Sequence, residues 1–285
     1  MPSKNLKSQC IATCVVASVT SLLLLFFLGN QSSHVLTVSF LDVGQGDSIF
    51  IETPSGRQIL VDGGRDNSVL RELASEMSFW DRSIDMIVAT HPDADHIRGL
   101  IDVLNRYNVT TFIHSDVIHK TPVSVALVDA AAQEISYDII ARRGQVFDFG
   151  DGVYMRVLFP DRDVTGVESN TGSVVVQIVY GEQEFLLTGD SPKMIEDYLV
   201  TLDGDELKSD VLKMGHHGSR TSSSEIFVGF VSPTYGILSR GCENSYGHPH
   251  AEVLEILKKF DIETEDTCTR GRVTFVSDGT LLKMK

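Results

Sequence analysis

Ala89-Thr90-His91-Pro92-Asp93-Ala94-Asp95-His96-Ile97-Arg98-Gly99-Leu100 packs two imidazoles and two carboxylates into the six residues from His91 to His96. The preceding Ile84-Asp85-Met86-Ile87-Val88-Ala89 is short, apolar and β-branched, which reads as a buried strand, and Leu100 to Tyr107 continues at helical spacing. The charged cluster therefore sits on a strand-to-helix turn. His91 and Asp93 alternate to one side at the strand mouth, while Asp95 and His96 fall at the helix start and can turn back toward them. Four such groups this close would repel one another or stay unsatisfied without a cation. Imidazole with carboxylate suits zinc, manganese or iron.

The same rhythm recurs along the chain. The strand Val35 to Leu41 ends in Asp42-Val43-Gly44-Gln45-Gly46-Asp47-Ser48, and Gln58 to Val61 runs into Asp62-Gly63-Gly64, which puts an acid where it could orient a ligand. Glu184 to Leu187 ends in Thr188-Gly189-Asp190. Val211 to Met214 delivers Gly215-His216-His217-Gly218-Ser219, and buried imidazoles between glycines need partners that glycine side chains cannot supply. His248 precedes a helix over Glu252 to Phe260, with His250 in its first turn. His114 and His119 lack ligand-spaced neighbours in the sequence and read as structural or surface residues, and Trp80 reads as a packing residue after the helix Ser68 to Met77. Strands followed by an acid or histidine and then a helix, in two halves, predict an α/β sandwich of sheets with helices outside and ligands along one edge.

The 285 residues, 42% of them hydrophobic, suffice for one large domain or two small ones. Lys4 and Lys7 precede an uncharged apolar run from Cys10 to Leu28, long enough to cross a bilayer. Residues 1–33 are thus expected to be a membrane anchor or a signal segment, and residues 34–285 an extracytoplasmic catalytic domain, secreted if the segment is cleaved. No small-x-small pattern surrounds Leu28-Gly29-Asn30-Gln31, which favours the anchor. Cys10 and Cys14 lie in the apolar run, leaving Cys242 and Cys268 as the available pair outside it.

The net charge is -15, and since residues 1–33 hold two lysines and no acid, the outer domain carries -17. Such a field repels long nucleic acid from most of the surface, so a nucleic-acid substrate would need a local basic strip or a bridging cation. Arg142-Arg143, Lys213, Arg220 and Lys258-Lys259 are the candidate positive points, each otherwise an ordinary solvated charge.

With His91, Asp93, Asp95, His96, Asp190, His216-His217 and His248 assembled, the chain resembles the metallo-β-lactamase superfamily from about residue 35 to 285, which implies an αββα sandwich. Phe40-Leu41-Asp42-Val43-Gly44-Gln45-Gly46-Asp47, Leu60-Val61-Asp62-Gly63-Gly64, Leu187-Thr188-Gly189-Asp190, Lys213-Met214-Gly215-His216-His217-Gly218-Ser219 and Tyr246-Gly247-His248-Pro249 look like the hydrolase domain of ComEC-type competence proteins. The resemblance implies that Asp95, His96 and His248 hold one divalent metal, that Asp190 bridges, and that His91 and Asp93 belong to a second site. Asp93 replaces the superfamily's usual second histidine, and Asn170 or Ser173 stands where a further histidine is usual, so the first site is oxygen-rich. One or two ions are expected, zinc or manganese foremost.

The resemblance further implies hydrolysis by metal-activated water, with Asp190 and Asp95 at the reacting centre and His216 or His217 protonating the leaving oxygen or contacting substrate. The leading expectation is a nuclease or phosphodiesterase related to DNA-uptake competence, with DNA or another phosphodiester as substrate and membrane contact through residues 10–28. The alternatives are a hydrolase of another ester or amide, or an accessory module of a separate DNA-uptake channel. The oxygen-rich first site speaks against a lactam, and four converging ligands speak against a mere scaffold.

Overall fold

Alternating or continuous apolar runs bounded by glycine turns set the strands, and helices fill the longer connections between them. A computed structural model describes residues 12–21, 35–117 and 120–285. The chain divides into two units, Met1–His34 and Val35–Lys285. In the first, residues 12–21 form helix α1. Among the described residues no helix is long and apolar enough to cross a membrane; the rest of the Cys10 to Leu28 run, like His119, lies outside them.

The second unit is a mixed α/β fold of two sheets. The first sheet holds β1 (Leu36–Phe40), β2 (Ile49–Glu52), β3 (Gln58–Val61), β4 (Ser83–Ala89), β5 (Asn108–His114), β6 (Tyr137–Ile140), β14 (Val273–Ser277) and β15 (Leu282–Met284), in the order β15-β14-β1-β2-β3-β4-β5-β6. The second holds β7 (Val146–Asp148), β8 (Val153–Phe159), β9 (Val175–Tyr180), β10 (Gln183–Leu187), β11 (Val211–Lys213), β12 (Tyr235–Leu238) and β13 (Glu263–Asp266), in the order β13-β12-β11-β10-β9-β8-β7. The halves share a pattern: β1, β2 and β3 are antiparallel and β3 to β6 parallel, just as β8, β9 and β10 are antiparallel and β10 to β13 parallel. This makes the β3 and β10 ends equivalent, and likewise those of β4 and β11.

Three apolar layers hold the unit together. Val38, Phe40, Ile59, Val88, Val176, Phe185, Leu187 and Ile237 interlock between the sheets. Leu60, Ile87 and Phe112 face Leu73 of α2 (Ser68–Glu76), Leu100 of α3 (Ala94–Leu104) and Leu127 of α4 (Pro122–Glu134). On the other side Leu186 and Leu212 face Leu199 of α5 (Lys193–Asp203), Val228 of α6 (Glu225–Val231) and Val253 of α7 (Ala251–Lys259). The layers are therefore helix, sheet, sheet, helix.

Two expectations fail. Trp80 is 85% exposed, set edge-on against Phe79 beyond α2 instead of packing. Lys213 is fully buried instead of solvated. Of the other expected positive points, Arg142 pairs with Asp116, Arg143 with Asp203 and Lys259 with Glu225, so most are neutralised locally. Cys242 and Cys268 are disulfide-bonded, tying the loop after β12 to α8 (Thr267–Arg270).

Candidate metal centre

Ligands collect where the parallel strands end. Asp62 follows β3, His91 follows β4, and Asp95 and His96 open α3, while Asp190 follows β10 and Lys213, His216 and His217 follow along β11 and the 3-10 turn behind it. Close backbone approach brings the pieces together: a Cβ on Gly46 would lie 1.9 Å from the Asp95 carbonyl oxygen, so only glycine lets the β1–β2 loop lie against the start of α3 and carry Asp47 inward. His216 and His217 both adopt left-handed backbone, with φ of 48° and 56°. Histidine tolerates this region better than most residues, at a cost of about 1–3 kcal/mol each. The strained turn aims both rings at one point.

That point is Asp190 Oδ2. The Nε2 atoms of His96, His217, His216 and His91 lie 3.4, 3.5, 3.6 and 3.8 Å from it. Asp95 Oδ2 lies 3.5 Å from His217 Nε2, and Asp93 Oδ2 lies 3.8 Å from His91 Nε2. The imidazoles are held from behind. Asp62 Oδ2 is 2.7 Å from His96 Nδ1 and also accepts from Thr90 Oγ1, and the Ser239 carbonyl oxygen is 2.9 Å from His217 Nδ1. His216 Nδ1 is 3.1 Å from Thr221 Oγ1.

Buried acids and imidazoles shift one another's protonation in this cluster. Burial works to raise Asp190, but His217, His96 and Lys213 hold its carboxyl well below the ordinary range. Burial opposes charge on His217, yet Asp190 and Asp47 hold its pKa up at about 9, and Asp190 and Asp62 raise His96 against its own burial. The carboxylates thus draw positive charge onto two buried rings. His91 goes the other way, pushed down to about 3 by burial and by His96. Its Nε2 and Asp190 Oδ1 are buried without a hydrogen-bond partner among the described residues.

These donors fit a divalent ion: imidazole Nε2 atoms with ring orientation fixed at Nδ1, and carboxylate oxygens on the same side. Asp47, His96, Asp190 and His217 offer donor atoms all within 4.8 Å of one another. Asp47, however, lies against Lys213 and 3.3 Å from His217 Nδ1, on the side away from the shared Nε2 atoms. Asp95 is the carboxylate on the donor side.

Residues 41–241 match the metallo-β-lactamase superfamily. The chain belongs to that superfamily. It is 30% identical over 273 residues to "ComE operon protein 3" of Bacillus subtilis, covering 90% of this chain and 35% of that protein. It is also 30% identical over 239 residues to "Competence protein ComA" of Neisseria gonorrhoeae, covering 84% of this chain and 32% of that protein. The chain thus spans about a third of these relatives' length. Among solved structures, Igni18, a metallo hydrolase from Ignicoccus hospitalis, superposes with a TM-score of 0.56 at 16% identity, covering 84% of this chain and 98% of that one, which speaks for the fold alone.

Within this superfamily domain, His91, Asp95, His96, Asp190, His216 and His217 gather around one carboxylate oxygen, with Asp93 at the edge. Asp93 accepts from Ser169 Oγ at 2.7 Å, and Ser173 Oγ accepts from the Asp190 N–H at 3.3 Å, so the loop before β9 supplies hydroxyls at this edge of the cluster. His248 borders the cluster, its ring centroid 5.6 Å from that of His216 and 6.4 Å from that of His217, and it is stacked on Tyr246. His114 lies away from the cluster, 3.0 Å from Asp138. Asp47 beside the ligands and Lys213 buried behind them are not evident from local sequence. A lysine flanked by Val211, Leu212 and Met214 in a strand between parallel neighbours was the available signal.

A cavity of about 810 Å³ adjoins the cluster at His91 and Pro92, walled by Ile97, Leu127, Ala131 and Ile140 beneath α4. Its size falls in the range of small-molecule sites.

Proposed function

We propose that this metal-dependent hydrolase is a phosphodiesterase, with DNA as the substrate, working in a DNA-uptake context. The observation that carries the reading is the convergence of four imidazole Nε2 atoms on Asp190 Oδ2 in a chain 30% identical to a competence protein. Asp95, His96, Asp190 and His217 would hold one divalent ion, and His91 and Asp93 would serve a second. Such ions supply Lewis-acid polarisation and lower the pKa of water.

The chain's own residues supply the rest. Asp190 lies at the centre of the cluster and orients the attacking group, while Asp62 and Ser239 keep His96 and His217 from turning. His217 is buried and His216 has a side chain 27% exposed, so His216 is the one placed to meet the leaving oxygen at its Nε2. His248 and Tyr246 form the neighbouring rim, where a substrate strand would pass. The acidic surface and paired arginines leave the ions themselves as the main attraction for phosphate.

The basic start, the apolar run to Leu28 and the Cys242–Cys268 disulfide support a membrane-anchored protein with its catalytic unit outside the cytoplasm. The test is cleavage by the full chain, metal-stripped and then given manganese or zinc, of single-stranded DNA and of a simple phosphodiester in parallel. Cleavage that vanishes in Asp190→Ala is the expected result. Bound metal without cleavage of either substrate overturns the phosphodiesterase reading.

The cavity beside His91, apolar along Ile97, Leu127, Ala131 and Ile140, favours a second reading, an ester or amide with an apolar arm. Nitrophenyl esters of increasing chain length separate it: rates rising with chain length, with DNA left intact, would select it.

A further inference from the structure

Lys213 carries a full charge with no route to water. Its Nζ donates to the Gly189 carbonyl oxygen at 3.0 Å, lies against Asp47 Oδ2, and is 3.6 Å from Asp190 Oδ1. An ammonium has three protons and no acceptor; Gly189 and Asp47 take it at contact, and Asp190 Oδ1, which has no hydrogen-bond partner among the described residues, faces it at ion-pair distance. It approaches Asp190 at Oδ1, whereas the four imidazole Nε2 atoms approach Oδ2. Being fully buried behind that carboxylate, Lys213 cannot meet a substrate.

We infer that Lys213 is a positioning residue: it holds Asp190 by Oδ1, so that Asp190 presents Oδ2 alone to a cation held by His96 and His217, and Asp47 is the counter-ion that keeps it there. This rests on the reading of the cluster as a metal centre. Asp190 without Lys213 would be free to turn and offer both oxygens, and the centre would carry one more negative charge. The pair also commits Asp47 Oδ2 to Lys213, which leaves Asp47 only Oδ1, 3.3 Å from His217 Nδ1.

Two variants of the full chain, titrated with cobalt(II) and followed by visible absorption, test this. Lys213→Met leaves the negative charge uncompensated and should tighten cobalt binding by about tenfold. Removing one member of a buried pair is also strongly destabilising, so Asp47→Asn with Lys213→Met supplies the second arm. That double variant removes both charges, keeps the net charge, and should bind cobalt within about threefold of the parent. Its absorption bands should nevertheless weaken, as a second Asp190 oxygen raises the coordination number.

A folded Lys213→Met protein with unchanged or weaker affinity overturns the inference, as does a double variant with the parent spectrum. If the parent chain itself takes up no cobalt, the metal-centre reading fails and the role of Lys213 falls with it. Uptake by the parent with variants indistinguishable from it removes Lys213 alone.

Discussion

His96 Nε2 and His217 Nε2 lie 3.3 Å apart, although the two residues come from opposite halves of the sandwich. Each ring is fixed at its other nitrogen, His96 by Asp62 and His217 by Ser239. Two donor atoms meet because two sheets each end a parallel strand at the same edge, and each ring has a partner in its own half that prevents rotation.

Asp62 therefore governs the centre without touching a cation. It is fully buried and also takes the Thr90 N–H at 2.8 Å and the Thr90 hydroxyl at 2.7 Å. Asp62→Asn would set an amide NH₂ against one of these donors and release the His96 ring. Partners of this kind contribute about 10–100-fold in metal affinity. Competition with a chelator should show a loss of that order with an unchanged far-UV spectrum, and an unchanged affinity would count against the orienting role.

Gly99 tests the packing that brings α3 to the cluster. A Cβ there would lie 1.9 Å from the Gly63 carbonyl oxygen, in backbone that cannot swing aside as a side chain can. The Gly99 N–H donates to the Gly64 carbonyl at 3.0 Å, so helix and loop are locked together. Gly99→Ala should lower unfolding free energy by about 1–3 kcal/mol. Since α3 carries Asp95 and His96, cation affinity should fall with it; full stability in urea titration would show that the contact is looser than the geometry indicates.

Much of this was legible in the sequence because the ligands are local. His91, Asp93, Asp95 and His96 occupy one turn, and Asp62, Asp190 and the His216-His217 pair each follow a readable apolar run. What depended on three dimensions was harder to read. A lysine alone in a strand usually reaches water, so the sequence points to a surface charge, whereas Asp47, far away in sequence, and Asp190 give Lys213 buried acidic neighbours. Trp80 is large and apolar, which points to packing, but it sits on the loop between α2 and β4 and is 85% exposed. The strand β13 went unread because Glu263-Thr264-Glu265-Asp266 is polar, as suits the edge of a sheet.

The Cys242–Cys268 bridge closes 26 residues of separation and anchors the loop holding Asn244 and His248. Asn244 Nδ2 donates to the His248 carbonyl at 2.9 Å, and its Oδ1 accepts from the His248 N–H at 2.9 Å, so the loop's inner order hangs on its fixed end. Cys242→Ser should lower stability by about 3 kcal/mol on the loop-entropy estimate. Hydrogen exchange should rise at residues 241–250 while β11 stays protected, and equal exchange in both proteins would show that the loop holds itself.

Glu196 supplies a pH signature from behind the Gly215–Gly218 turn. It is fully buried on α5 and accepts the N–H groups of Ser223 and Ser224, both at 2.7 Å. Burial pushes its carboxyl up to about 8, although those two N–H groups pull the other way. With the folded value above the unfolded one, the folded state binds the extra proton between them, so this contribution to stability is whole below the ordinary glutamate range and is lost as pH rises through the folded value. The slope cannot exceed about 1.4 kcal/mol per pH unit. Glu196→Gln cannot titrate, and its amide NH₂ would face one of the serine N–H groups, so it should be less stable than the parent in acid. Urea titrations from about pH 5 to about pH 8 should show the parent's advantage over Glu196→Gln shrinking steadily. An advantage that holds constant or grows across that range would mean that the two N–H donors outweigh burial and that Glu196 is ionised in the fold.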